Sequence, residues 1–308
     1  MPFGLLTGLG AALSWGTMDV ASALASRRVG SLLVTVGVVV VSAILLLALT
    51  LLTGAAIPTD APTLATAALL GLIGAGAYFA YFTGLRVGPI AVVSGMVAAY
   101  GGLTVVLSVV LRGESLNAVQ AFGAAVATGG VILTGVAFDG GLRGTRLAGP
   151  GVIFAIVALV LFSMMAITTD IALESAGWLQ VLLASRAVTA AASITIVVIV
   201  ALAARMRSAP VDSDPAAPRS PDARPEPPWG RRRLVEVIVL AGILDVLGLI
   251  SFAIGLETAP TWLVGLASSF GPAVTILVAV AFLGERLKAI QWVGLAGVAI
   301  GMVAIALP

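Results

Sequence analysis

The sequence predicts an all-α membrane protein of ten transmembrane helices arranged as two inverted five-helix repeats. Three observations predict it. Of 308 residues, 60% are hydrophobic and 10% charged, and the mean hydropathy is +1.17; this is more apolar surface than a soluble domain of that length hides. Apolar stretches long enough to cross a bilayer, about 20 residues each, recur ten times along the chain. Finally, residues 71–130 align without a gap on residues 242–301: Gly71 falls on Gly242, Gly84-Leu85 on Gly255-Leu256, Pro89 on Pro260, Gly113-Glu114 on Gly284-Glu285, Gln120 on Gln291, Gly123 on Gly294 and Gly130 on Gly301. Two merely apolar helices would match at Leu, Val and Ala instead, so the duplication is structural. With five spans in each copy, an odd number, the second copy lies upside down relative to the first.

Span 1 covers residues 3–26. Ala23-Leu24-Ala25 resembles a signal-cleavage box, but no Lys or Arg precedes the apolar body and Asp19 lies within it, which predicts a retained span. Span 2 covers 31–54. Spans 3 (64–85) and 4 (89–111) are divided by Gly88-Pro89, and spans 4 and 5 (117–137) by Arg112-Gly113-Glu114. Residues 1–137 thus form the first repeat, 138–149 an inter-repeat loop and 150–308 the second repeat. Spans 6 (150–173) and 7 (178–204) open that repeat, followed by a linker over 205–233 with seven of the fifteen prolines. So much proline mixed with charge forms neither a core nor a continuous helix. Spans 8 (234–256), 9 (260–282) and 10 (289–307) are divided by Ala259-Pro260 and Gly284-Glu285-Arg286. These breaks match those of the first repeat, so each supports the other.

The chain has no cysteine and no histidine. That excludes disulfides, thiolate and imidazole metal sites, and catalysis by a Cys nucleophile or a His base; proton coupling would run through carboxylates. A formal charge of +2 gives no reason to expect nucleic-acid binding, no cofactor motif is present, and the expected partners are a small molecule and the bilayer. Fourteen of the sixteen basic residues fall in loops on the side opposite the termini, Arg112 alone lies on the terminal side, and Arg186 sits inside span 7. Because positively charged loops stay in the cytoplasm, both termini are expected outside.

Three stretches, Ala12-Leu13-Ser14-Trp15-Gly16, Phe282-Leu283-Gly284-Glu285-Arg286-Leu287 and Gln291-Trp292-Val293-Gly294, together with Gly113-Glu114, Gln120, Gly123 and Pro272, resemble the drug/metabolite transporter superfamily, EamA-like ten-span branch. The likeness covers nearly the whole chain except the linker. Gly101-Gly102 departs from the mid-span proline, and Arg186 matches an arginine common in the second helix of each repeat, without a counterpart in span 2. What the resemblance implies is a transporter of a small metabolite, amino acid or organic cation, often an exporter, without a cofactor. It also implies a central cavity lined mainly by spans 1, 3, 4, 6, 8 and 9, and cytoplasmic termini, against which this chain's own charge count stands.

Candidate site residues follow from these expectations. Trp15, Tyr78 and Tyr81 lie on spans expected at the cavity, where ring faces suit organic cations or aromatics. Phe162, Tyr100, Phe252 and Phe270 are further candidates, while Trp262, near a span end, suits the interfacial belt. Intramembrane charges are costly and mark function. Asp170 near the end of span 6 and Arg186 in the next span are expected to pair. Asp245, near the midplane of span 8 with no basic residue expected at its depth, and Asp19 are expected to bind substrate or a coupling proton; the bland reading of Asp245 is a protonated group bonded to a neighbouring helix. Gly113-Glu114 and Gly284-Glu285 read as turn devices, with the Glu hydrated at the membrane surface, and Gly123, Ala127, Gly297 and Gly301 as close-packing faces.

The function expected from this reading is alternating-access secondary transport, because inverted repeats provide two nearly equivalent packings open to opposite sides. The alternative is a membrane-embedded enzyme acting on lipid or peptide. Such an enzyme needs a nucleophile with a base, or aspartates at one depth, and Asp19, Asp170 and Asp245 are not at one level.

Overall fold

A computed structural model describes residues 2–87, 93, 96–135, 150–206, 230–271, 273–274 and 289–306, and among these ten helices follow one another. They are α1 (Pro2–Val29), α2 (Ser31–Thr53), α3 (Ala61–Val87), α4 (Tyr100–Arg112), α5 (Ala118–Gly135), α6 (Pro150–Leu173), α7 (Trp178–Met206), α8 (Arg231–Thr258), α9 (Thr261–Ser268) and α10 (Ala289–Ala306). Each falls within or closely overlaps the expected span of the same number. Gly88-Pro89, Pro272, Gly284-Glu285-Arg286, loop 138–149 and linker residues 207–229 lie outside the described residues. The linker's last arginines, Arg231 to Arg233, belong to the first turn of α8 rather than to the linker. Arginine stems lie along an apolar helix while their heads reach water, so the helix extends past the hydrocarbon layer.

The bilayer dictates helices because each backbone amide must be satisfied within its own segment. Polar side chains obey the same demand. Thr35 Oγ1 donates to Ser31 O at 2.9 Å, Thr50 Oγ1 to Leu46 O at 2.8 Å and Thr169 Oγ1 to Met165 O at 2.7 Å, each hydroxyl folded back onto the preceding turn. At the exposed start of α3 the Thr63 amide donates to Asp60 Oδ1 at 2.9 Å. These hydrogen bonds with Thr63 hold the Asp60 carboxyl below its ordinary range. Among the described residues five helices, over 31–53, 61–84, 151–173, 178–202 and 231–258, are long and apolar enough to span a membrane; the apolar segments 96–112, 118–133 and 292–305 are shorter.

Side-chain size sorts between interior and lipid. Leu51, Leu52, Val110, Phe122 and Ile153 face outward, while Ala11, Ala12, Ala127, Ala155 and Ala253 are buried. In lipid, helices associate by close backbone approach rather than by a hydrophobic force, so small residues belong at their contacts. The α5/α10 pair is the densest case: a Cβ on Gly130 would collide with backbone atoms of Gly294, Gly297 and Val298, and one on Gly301 with Ala127 and the Gly123 carbonyl. The two small-residue faces expected from sequence pack on each other.

Contacts between helices establish the inversion. Gly101 faces Ser269 while Gly265 faces Thr104, so α4 and α9 run antiparallel; Gly123 faces Gly301 while Gly130 faces Gly294, so α5 and α10 do as well. Because α4 duplicates α9 and α5 duplicates α10, a two-fold axis in the membrane plane relates the repeats. The packing obeys that axis residue by residue. Gly84 meets Val93 and Phe154, and its duplicate Gly255 meets Val264 and Thr7; Gly71 meets Val188 and Ser185 O, and its duplicate Gly242 meets Val41 and Val38 O. These contacts fix the register of α1 on α6 and of α2 on α7.

Candidate functional site

A cavity of about 710 Å³, its mouth included, opens between the repeats and is lined from α1, α3, α4, α6, α8 and α9 and the turns beside α4 and α9. Its walls come in symmetry pairs: Trp15 with Phe162, Met18 with Met165, Asp19 with Ala166, Tyr81 with Phe252, Val97 with Ser268, and Tyr100 with Gly271. The cavity therefore sits on the pseudo-two-fold axis. In five of those pairs only one member bears a polar side-chain group, so the polar groups break the symmetry that the backbone keeps. Tyr78 and Ala98 complete the lining.

Trp15 and Asp19, one turn apart on α1, and Tyr78 and Tyr81, one turn apart on α3, all proposed from sequence, meet in this one space. Local packing explains each position. The Trp15 indole lies over Gly248 of α8, where any Cβ would collide with the ring, and packs against Phe252 at a centroid distance of 5.6 Å. Phe162 stands edge-on to both Tyr78 (5.7 Å) and Tyr81 (6.0 Å), the arrangement favoured by ring quadrupoles. The Tyr81 hydroxyl donates to Asp19 Oδ2 at 3.2 Å. On the other wall the Tyr100 and Ser268 hydroxyls are 2.9 Å apart, and Ser163 Oγ donates to the Tyr100 carbonyl at 3.0 Å.

Two charge expectations are corrected. Asp245 does not line the cavity: none of its surface is exposed, and Arg186 Nη2 lies 2.9 Å from its Oδ2, an ion pair. Tyr78 joins them, its hydroxyl donating to Asp245 Oδ1 at 2.9 Å, with the Arg186 guanidinium 5.4 Å from its ring centroid and Nη2 donating to its hydroxyl at 3.5 Å. Asp245 thus has the basic partner it was expected to lack. Nor does Asp170 pair with Arg186. Arg112 Nε donates to Asp170 Oδ2 at 2.7 Å and Arg112 Nη2 to Glu174 Oε1. The reason is lateral: α7 packs chiefly on α3 and α2, not on α6 to which a short turn joins it, and Asp170 sits in the last turn of α6 whereas Arg186 is about two turns inside α7.

The ends of the helices hold two further departures. Gly113, at φ 67°, does stop α4, but the Glu114 carboxylate reaches across to the other repeat. It accepts from the backbone amides of Thr261 (2.8 Å) and Trp262 (3.0 Å), satisfying the first turn of α9 and placing negative charge at its positive end. Trp262 and Phe270 are buried in the helix-packing core with Leu263, Leu266 and Ala98; Trp262 is therefore not an interfacial-belt residue.

A helical membrane protein whose inverted repeats enclose an aromatic cavity on their symmetry axis is a membrane transporter of small substrates. The chain belongs to the EamA-like transporter family, whose model matches residues 2–136 and 149–307, one match to each repeat. A solved crystal structure, described only as that of a protein, has a TM-score of 0.75 and 21% sequence identity over 98% of this chain and 96% of its own. At that identity the likeness shows the fold alone. No curated protein matches the chain.

Proposed function

We propose that the protein is a secondary transporter that moves a small metabolite, amino acid or organic cation out of the cell by alternating access, with the axial cavity as its binding site. The observation that carries this reading is the position of the cavity. A site on the axis between inverted repeats is equally available to two packings related by that axis, one open to each side. On the side of the termini, the described packing is tied shut between repeats by Arg112 with Asp170 and Glu174, and by Glu114 on the first turn of α9. The opposite packing requires these ties to break. Loop charge predicts that the side opposite these ties faces the cytoplasm, so the ties hold the outward face, as the substrate-loading form of an exporter requires.

Trp15, Tyr78, Tyr81 and Asp19 are the proposed substrate contacts. Asp245 and Arg186 act through Tyr78, holding its hydroxyl and so the orientation of a ring that faces the cavity. A metabolite panel comparing cells that express or lack the protein tests the function. The expected result is a set of small solutes that accumulates inside when the protein is absent and outside when it is expressed. Unchanged pools, with the protein present in the membrane, would oppose the proposal.

A further inference from the structure

We infer that the cavity selects organic monocations with an apolar or aromatic body, and rejects zwitterions and anions. This rests on the cavity being the transport site, and it narrows the substrate to one charge class.

Charge bookkeeping at the cavity wall carries the inference. Among the described lining residues Asp19 is the one ionisable acid, and no arginine or lysine lines the space. Arg186, the basic residue buried nearest, is committed: it is paired with Asp245 and lies behind the Tyr78 ring. An amino acid entering the cavity would have an opposite charge for its ammonium group, whereas its carboxylate would meet only neutral donors, the Trp15 indole and the Tyr and Ser268 hydroxyls, and no cation among the described lining residues. Burying an unpaired carboxylate is far more costly than leaving it in water. A monocation meets the opposite situation, since one carboxylate neutralises it and it leaves no charge of its own unpaired.

The uncharged wall favours the same class. Trp15, Tyr78, Tyr81, Tyr100, Phe162 and Phe252 come from five helices to line the cavity that holds Asp19. Ring faces carry negative charge density that attracts a weakly hydrated cation. They also cover an apolar body, as do the polarisable Met18 and Met165. A small hydrated metal ion would gain little from such walls, because it prefers a shell of oxygen ligands.

The test is equilibrium binding to the purified full-length protein in detergent, using probes that share one body and differ in charge: 2-phenylethylammonium, phenylalanine, 3-phenylpropionate and neutral 2-phenylethanol, with tetraphenylphosphonium as a bulkier cation. At least one cation should bind about tenfold or more tighter than phenylalanine and 3-phenylpropionate. Asp19→Asn should weaken the cation about tenfold and leave 2-phenylethanol unchanged, while Asp19→Glu retains cation binding. Phenylalanine binding as tightly as the cations, failure of both cations to bind, or Asp19→Asn leaving their affinity unchanged would overturn the inference. The wild-type charge series decides even if Asp19→Asn fails to fold. Counterflow in proteoliposomes separates this inference from the transport reading. Cation binding without flux sinks transport and spares the selectivity; flux of a zwitterion with no cation binding does the reverse.

Discussion

Replacing Arg186 by Leu would leave the Asp245 carboxylate with the Tyr78 hydroxyl as its remaining described partner, in a place where none of its surface is exposed. Breaking a buried ion pair from one side typically costs about 3–5 kcal/mol, because the orphaned charge is not resolvated, whereas replacing both partners by apolar groups is often nearly neutral. Arg186→Leu should therefore lower the apparent Tm in detergent sharply, and adding Asp245→Leu should recover most of the loss; a double variant no more stable than Arg186→Leu would show that the pair is not the source. Gly248 offers a gentler residue-scale test. A methyl there would collide with the Trp15 indole, which has the cavity to move into. Gly248→Ala should leave the protein folded, shift the Trp fluorescence and weaken ligand binding severalfold by filling space. Sequence made seven cavity residues legible because side-chain chemistry and helix number were enough to nominate Trp15, Asp19, Tyr78 and Tyr81, with Tyr100, Phe162 and Phe252. It misassigned Asp245, Asp170 and Arg186 because depth along a helix can be counted from its ends, but which neighbour lies beside a charge cannot.

At the scale of elements, the turn after α4 does more than reverse the chain. Gly113 supplies the left-handed residue that ends the helix, and this lets Glu114 bond the first amides of α9 while Arg112 bonds the last turn of α6. One short segment of the first repeat thereby ties two helices of the second. Glu114→Ala removes a charge-assisted cap, an interaction typically worth about 1–2 kcal/mol, and should shift the balance toward the packing open on the terminal side. Since the chain has no cysteine, Ser268→Cys gives a single thiol in the cavity. Its labelling by an impermeant maleimide from the terminal side should be slow in the otherwise native protein and about tenfold faster with Glu114→Ala; equal rates would show that the turn is not a tie. Glycine at Gly113 was readable as a stop and Gly123 and Gly301 as packing faces, since those roles are local. That Glu114 caps a helix beginning at Thr261 was not readable, because no sequence pattern marks a carboxylate given to another repeat.

For the whole molecule, the duplication visible over residues 71–130 and 242–301 is also the symmetry that the packing obeys. The same relation between α1–α2 and α6–α7 was hidden because the long Pro-rich linker follows α7 while only a short turn follows α2, so one gapless shift cannot cover both halves of a repeat. Symmetry of backbone with asymmetry of charge has a further consequence. Two inverted repeats of similar sequence have no intrinsic preference for either direction of insertion, and loop charge is left to decide it. Counted along the sequence, fourteen basic residues fall in loops expected on one side and Arg112 on the other, and Arg112 is held by Asp170 and Glu174. Insertion should accordingly be uniform, with α1 entering so that both ends of the chain face outward. A reporter active only outside the cytoplasm, fused after Pro308, should be active, and the same reporter within the linker over 209–230 should be silent. The opposite pattern would show that the orientation common in the family prevails over this chain's charges and would turn the tied face toward the cytoplasm, making the described packing the releasing rather than the loading form of an exporter.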